Sequence, residues 1–525
     1  MEKIREYSKQ NQVFLSLSML FVGWALAFIY NSSYVAMDER RYFNLFDDAM
    51  ISMRYAWNFA HGQGLVWNAG ERVEGYTNLL MTLLMSLAAL VLDKRYAVLA
   101  VQLTGIFFGL GSAFLAVKIF ENVRALEKNA LRYLIFVVVL LYYPLQYWSL
   151  LGMETGLLAF LLGAGVLCSL KYAEKLEVKY LWWMSACFGL AYLTRNDSLL
   201  FTALAFLYLL PTLRHGRRSV LLFLAAGMLY GAFVIGQTVF RYDYYGAVMP
   251  NTYTLKLVGM PLVERLQNGW GFIQPFLKET GVILLLALAG TVVIPSRQKA
   301  YLLGLSLTSI LYQVYVGGDP WSYWRIMSPT MPFLLILFVL AFEGFLKLAF
   351  KPLRGSVLNA LLTVAVLGGL LQANFRFLPE MSLSELPYDN EASRKHTDLA
   401  LALNTVTNDS ATIGVFWAGT TPYYTDRFVL DFLGKSDPYI ANLPPDLSGK
   451  IGWNGMNSVP GHNKYDLNYS IVELRPTYVQ DLVWGGQDLS AWGMEHYASV
   501  RYKGVRMYLL KDSPAVDWEK VELLP

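Results

Sequence analysis

Over the first 375 residues, uncharged apolar stretches of about 15 to 22 residues recur between short polar connections, and this pattern constrains the chain more than any other. A hydrocarbon core of ~30 Å takes about 20 helical residues to cross, so each stretch has the length of one membrane span. Twelve stretches are legible, at 13–30, 76–92, 97–117, 133–149, 155–170, 180–194, 198–213, 219–240, 280–296, 300–316, 326–342 and 355–372. Composition agrees: charged residues make up 16% of the chain, against about 25% in soluble domains, and mean hydropathy is +0.37. A net charge of +4, with no basic patch interleaved with stacking aromatics, argues against nucleic acid as a partner. The two cysteines, Cys168 and Cys187, lie in apolar stretches and carry no disulfide or metal argument. The first stretch has no small-residue cleavage site after it and reads as a retained helix.

Lysines and arginines of short connections gather on the cytoplasmic side of a membrane. From Arg124 onward they occupy every second connection: Arg124, Lys128 and Arg132; Lys171, Lys175 and Lys179; Arg214, Arg217 and Arg218; Arg297 and Lys299; Lys347, Lys351 and Arg354. The alternate connections, around 152–154, 195–197, 244–246 and 317–319, are then expected outside, as is everything after Gln372. The basic N-terminus, with Lys3, Arg5 and Lys9, is expected inside, which puts the long loop at 31–75 outside. Between that loop and the inner connection near Glu121 the chain must cross an odd number of times. The 76–92 stretch is therefore assigned as re-entrant or membrane-embedded, turning at Asp93-Lys94-Arg95, and eleven crossings result.

After Gln372, Pro, Asp, Asn and Gly become frequent and no run is long enough to span. Helical periodicity over 391–406 and short strand-forming runs at 411–417, 427–431 and 505–510 predict an α/β domain. The fold class expected is a polytopic α-helical membrane protein with two parts: a transmembrane domain over 1–374 and an α/β cap over 375–525.

The outer loop at 31–75 holds the densest polar content of the membrane half. After Asp47-Asp48, the residues Ile51, Tyr55 and Phe59 recur at four-residue spacing, as on a helix lying along the membrane surface. The aspartates would sit at its N-terminus, where the helix dipole favours the ionised carboxylate; that suits a general base or a metal ligand. The plain alternative is that one of them caps the helix. His61 is read as structural, because no cluster of metal-binding histidines accompanies it.

Several segments carry a resemblance. Phe46-Asp47-Asp48, Ile51-Ser52, Arg54-Tyr55-Ala56, Asn58, 61–66 and Val73-Glu74-Gly75-Tyr76-Thr77-Asn78 resemble the first-loop pattern of GT-C glycosyltransferases of the AftB type. Those are terminal arabinofuranosyltransferases of mycobacterial cell walls and related bacterial envelope enzymes. Further matches follow in order: Gly152-Met153-Glu154-Thr155, Thr194-Arg195-Asn196-Asp197, Tyr244-Tyr245-Gly246 through Asn251, Thr252 and Tyr253 to Lys256, and Gly317-Gly318-Asp319 with Arg325 and Pro329. In the cap, Tyr423-Tyr424, Asp431-Phe432-Leu433-Gly434 through Asp437-Pro438, and Pro460-Gly461-His462 continue the resemblance, which covers almost the whole chain. Asn196 stands where the family usually has Pro.

The resemblance implies a GT-C fold in a bacterial inner (plasma) membrane, with the cap and the active site periplasmic. It implies transfer of a sugar, such as arabinofuranose, from a polyprenyl-phosphate donor to a saccharide or glycolipid acceptor. Asp47 and Asp48 would form the catalytic pair. A lipid phosphate needs cations close to it, and Arg54, Arg195, Lys256 and Arg325 are the candidates. Substrate contacts are expected from Glu74, Tyr76, Asn78, Glu154, Tyr245, Asn251, Tyr253, Asp319, Trp321 and His462. No cofactor is required, although carboxylates suit hard metals and Asp47 and Asp48 offer ligands for a divalent cation such as Mg, Mn or Ca. Membrane lipid is the surrounding partner. A flippase or transporter of a lipid-linked saccharide is the rival from another class; it should show broken helices in two related halves, and no such symmetry is present. A scaffold or receptor leaves the acidic loop without a role.

Overall fold

The computed structural model describes residues 2–124, 130–349 and 355–524. Lys128, Lys351 and Arg354 lie outside the described residues, as do the side chains of Lys3, Arg5 and Lys9.

Eight described helices are long and apolar enough to cross a membrane: Gln12–Ser32, Lys94–Arg124, Thr155–Lys175, Asn196–His215, Arg217–Tyr245, Leu262–Val293, Ser328–Ala349 and Asn359–Met381. A ninth is the pair Leu131–Leu141 and Tyr143–Leu150, bent by 55°. The sequence predicts one unbroken span there, and Pro144 is the reason for the break: it lacks an N–H and disfavours helical backbone in the residue before it. Two side chains take up groups freed at the bend: Asn374 Nδ2 donates to the Leu141 carbonyl (2.6 Å) and its Oδ1 accepts from the Tyr143 amide (3.1 Å), while Gln146 Nε2 donates to the Val139 carbonyl (3.0 Å). The other two expected crossings are helices as well, Val178–Thr194 of 17 residues and the less apolar Arg297–Val316. By length and composition alone eight described helices qualify, or nine with the bent pair, and these two helices stand where the remaining expected crossings were placed. The 76–92 stretch folds as Leu79–Val91, whose 13 residues rise only about 20 Å. It is too short to cross.

Loops expected on one side do share one end of the bundle. Arg124 donates to Glu343 (2.7 Å), which also takes Lys347 (2.7 Å), and Arg297 donates to the Tyr208 carbonyl (2.7 Å). The first loop and the cap meet at the other end.

The cap contains a six-stranded mixed sheet in the order Glu522–Leu523, Tyr497–Tyr502, Val505–Leu510, Tyr478–Val479, Thr412–Val415, Phe428–Asp431. Thr412–Val415 runs parallel to both its neighbours, with Val415 opposite Asp431. The segments following these two strands, 416–420 and 432–437, therefore leave side by side from carboxyl ends, where open α/β sheets place ligand-facing loops. The helix Asn390–Val406 and the strands Thr412–Val415, Phe428–Asp431 and Val505–Leu510 match the predicted elements, whereas Tyr478–Val479, Tyr497–Tyr502 and Glu522–Leu523 are not predicted. One core joins the cap to the first loop: Ile51, Tyr55, Leu65, Trp67 and Tyr76 pack with Leu403, Val406, Ile413, Val415 and Val429. Aromatic side chains bury about 150–250 Å² each, worth up to roughly 4 to 6 kcal/mol apiece at ~25 cal/mol per Å², so this shared core holds the cap down firmly.

Candidate active site

The first-loop helix is Asp47–Ala60, with both aspartates in its first turn. Successive helical residues point about 100° apart, so two adjacent carboxylates cannot face one point. Asp47 turns to the cap, where it accepts from the amides of Gly419 (3.2 Å) and Thr420 (2.8 Å). The approach is so close that a Cβ on Gly419 would stand 1.9 Å from the Asp47 carbonyl oxygen. Asp48 turns to a cavity of about 540 Å³. Its carboxylate accepts from Arg325 Nη1 (2.8 Å), Lys435 Nζ (2.9 Å) and Trp321 Nε1 (3.4 Å). The two cations outweigh burial and hold it well below the usual carboxylate range.

Motifs far apart in sequence converge on this cavity. Asp48, Tyr76, Asn78, Glu154, Arg195, Tyr253, Lys256, Asp319, Arg325 and Lys435 all line it. Arg195 donates to Glu154 (2.8 Å) and Asp197 (2.6 Å), and Asn78 donates to the other Glu154 oxygen (3.2 Å). Arg325 spans Asp48 and Asp319, donating to the latter at 2.7 Å, and its buried Nε has no partner among the described residues. Arg241, also on the wall, forks onto Glu74. Lys256 differs from the other cations. Among the described residues it has no hydrogen-bond or ion-pair partner, and burial together with nearby Arg325 lowers its pKa to about 8. A largely desolvated ammonium with no direct partner is costly, Asp319 and Asp48 offset that cost only through space, and an anionic ligand would remove the rest.

Other candidates do not reach the cavity. Arg54 is spent on acceptors that join the first loop to the cap: the Trp67 carbonyl (2.6 Å), Asn68 Oδ1 (3.0 Å), and the carbonyls of Pro422 and Arg427. Glu74 is buried beneath Arg241. Tyr245 bonds the Leu65 carbonyl (2.7 Å) and sits 3.1 Å from the Tyr76 hydroxyl. Asn251 holds cap carbonyls: Gly434 at 2.9 Å and Lys435 at 3.0 Å. Trp321 and His462 lie beside Asp48 on the cap side. His462 is buried, and among the described residues neither ring nitrogen has a hydrogen-bond partner; the ring lies inside a cage of Trp321, Trp417 and Trp453 at 6.2, 5.7 and 5.1 Å between ring centroids. Burial lowers its pKa to about 3, so the ring is neutral. Asp47 and Asp48 do not converge as metal ligands, and among the described residues no three His, Cys, Asp or Glu side chains gather to hold an ion.

Sequence reasoning passed over Lys435. Its signal was a single basic residue in a loop of otherwise apolar and small residues, Phe432-Leu433-Gly434-Lys435-Ser436, directly after the Asp431 motif.

Residues 384–518 match a family described as a domain of unknown function, DUF8728. The chain is 26% identical over 328 residues to the terminal beta-(1->2)-arabinofuranosyltransferase of Mycobacterium tuberculosis. That match takes in 52% of this chain and 48% of the relative, so it spans about half the length of each. The oligosaccharyltransferase AglB of Archaeoglobus fulgidus, in complex with an inhibitory peptide and a dolichol-phosphate, superposes with a TM-score of 0.57 at 11% identity, over 99% of this chain and 76% of that one. ArnT of Cupriavidus metallidurans bound to undecaprenyl phosphate gives 0.51 at 11% identity, over 81% and 86%. The chain is thus a multi-pass membrane protein with the fold of the GT-C glycosyltransferases and a distant homologue of terminal arabinofuranosyltransferases.

Proposed function

We propose that this protein transfers a sugar, arabinofuranose by its homology, from a polyprenyl-phosphate donor to an envelope saccharide or glycolipid, on the outer face of a bacterial inner membrane. The observation that carries the reading is Lys256. It is a half-buried cation with no direct partner among the described residues, in a wall of paired ions that includes Asp48 on a helix N-terminus. The donor phosphate takes Lys256 and the free Nε of Arg325 as charge-assisted donors. Asp48 receives the proton of the acceptor hydroxyl as that oxygen bonds to the anomeric carbon. The bond from that carbon to the phosphate oxygen breaks, and polyprenyl phosphate departs. Glu154, Asn78 and Asp319 face the sugar with acceptors and donors held by Arg195 and Arg325.

The cavity suits a lipid-borne donor. Its edge includes Leu199, Leu200, Val248, Met249 and Tyr253, all substantially exposed on the surface of the bundle, so an isoprenoid chain can leave sideways into hydrocarbon. We assign Asp48 alone, rather than the Asp47–Asp48 pair, to the chemistry, because only Asp48 reaches the cavity. Eleven crossings with the cap outside remain our topological reading. They count Val178–Thr194 and Arg297–Val316 as spans whose polar residues face the cavity or protein. The division at 374/375 into membrane domain and cap is carried with them.

The test is turnover by the purified protein in lipid nanodiscs, offered a polyprenyl-phosphate arabinofuranose or a nucleotide sugar with the same acceptor. Transfer from the lipid donor alone is expected, and Lys256→Met should weaken donor binding by about 1.5 to 3 kcal/mol, the worth of a charge-assisted bond. Turnover of a nucleotide sugar in a lipid-carrier-free preparation would overturn the donor and the outward site together.

A further inference from the structure

We infer that Lys435 of the cap is a second phosphate ligand that changes partners, leaving Asp48 for the donor phosphate and thereby unmasking the base. The inference rests on the transferase reading above and adds to it a residue from the other domain.

Three observations support it. Asp48 is held by two cations at once, Arg325 at 2.8 Å and Lys435 at 2.9 Å, and a carboxylate so occupied has little affinity for a proton. As it stands, this is a poor base. The two cations are not equally committed. Arg325 also grips Asp319 at 2.7 Å, whereas Asp48 is the only ion-pair partner of Lys435 among the described residues. A planar guanidinium bridging two carboxylates is fixed, while an ammonium on a four-carbon stem can turn to a new acceptor with little movement of its backbone.

The third observation is how the lysine is mounted. The segment 431–437 is folded on itself, with the Asp431 carboxylate accepting from the amides of Leu433 (3.1 Å) and Ser436 (2.7 Å). Asn251 then donates to the carbonyls of Gly434 (2.9 Å) and Lys435 (3.0 Å), and its own amide donates to the Glu74 carbonyl (3.0 Å). Asn251 begins the helix Asn251–Leu257, which carries Lys256. Both lysines therefore stand on one hydrogen-bonded unit, and both line the same cavity. An anion drawn to unpaired Lys256 arrives within reach of Lys435, and a phosphate offers the lysine more charge than the shared carboxylate does. Once the lysine moves, Asp48 keeps one cation and regains basicity only when donor is bound. No bond to carbon changes in this step; one ion pair is exchanged for another.

The experiment is a double-mutant cycle on binding, read without turnover: Asp48→Asn, Lys435→Met and the double variant, with affinity for farnesyl phosphate or undecaprenyl phosphate measured in nanodiscs. Asp48→Asn frees Lys435 in advance, so it should bind the lipid phosphate on the order of 10-fold more tightly than wild type. Lys435→Met should bind more weakly, and the gain from Asp48→Asn should vanish when Lys435 is already Met. Simple removal of a repelling carboxylate predicts the contrary: the gain would persist in the Lys435→Met background, and that result overturns the exchange. Absence of any gain overturns it as well. Failure of the wild-type protein to bind either lipid phosphate would instead sink the donor assignment itself. Thermal unfolding of each variant shows whether a loss comes from misfolding, and Lys435→Arg, which keeps the charge, should restore binding in the single-variant background.

Discussion

Adjacent aspartates with different partners should fail in different ways when altered. Asp47 carries two hydrogen bonds from backbone amides, and a bond to a charged group contributes about 1.5 to 3 kcal/mol. The side chain is partly solvated, so the lower end applies to each. Asp47→Ala should therefore cost about 3 kcal/mol, all of it in docking of the cap; Asp47→Asn, which keeps one acceptor, should cost about half as much. Asp48→Asn removes a partner from Arg325 and Lys435, yet Arg325 retains Asp319, so the structure should hold while turnover falls about 100-fold or more through loss of the base. The assay pairs turnover per folded molecule with limited proteolysis, which follows release of the cap directly and does not require two-state melting. Asp47→Ala should expose the cap to protease while its folded fraction keeps working. Asp48→Asn should resist protease and be nearly inert. Loss of turnover in a fully protected Asp47→Asn protein, or normal turnover in Asp48→Asn, would refute this division.

Three further predictions follow from particular contacts. Burial pushes the Asp389 carboxyl up to about 7, so the folded state holds its proton where the unfolded chain has lost it; stability should fall as pH rises from about 4 to 7, by at most ~1.4 kcal/mol per unit, then level off, and Asp389→Asn should flatten that slope in thermal melts. Gly75 meets Ser436 Oγ, Tyr55 Oη and the Lys435 carbonyl at 2.5, 2.8 and 2.9 Å from where a Cβ would be, so Gly75→Ala should displace the Lys435 segment and lower turnover at least 10-fold with the protein still folded by proteolysis. For topology, cysteines at His215 and Ser410, both exposed, should label oppositely with an impermeant reagent on spheroplasts in a background lacking Cys168 and Cys187; labelling of His215→Cys without Ser410→Cys would reverse the orientation.

The span pattern and the convergence of motifs were legible in the sequence for one reason. Polar side chains such as Glu154, Arg195, Asp319 and Arg325 inside a mostly apolar protein need partners, and their nearest polar neighbours are one another. What spacing could not tell was direction. Asp48 and Arg54 sit six residues apart on one helix, about 240° around its axis, so a basic residue near the acidic pair in sequence points away from it in space. Lys435 lies 387 positions from the carboxylate it neutralises, and only the shared core of first loop and cap brings them together. That core also explains why the cap, which composition marks as separate, is not independent: removing it would strip cover from Ile51, Tyr55 and Trp67.

The helix Arg217–Tyr245 has only 11% of its most apolar window buried in protein, and its far end leads to the exposed Val248, Met249 and Tyr253 at the cavity edge. On that side the chamber is enclosed by whatever surrounds the protein rather than by the protein itself. In a bilayer, acyl chains of neighbouring lipids would complete the enclosure, and the isoprenoid donor proposed above would displace them like for like, with little protein packing to undo. Catalysis by this chain should accordingly be a joint property of the polypeptide and its bilayer, sensitive to acyl length and fluidity as a soluble transferase would not be.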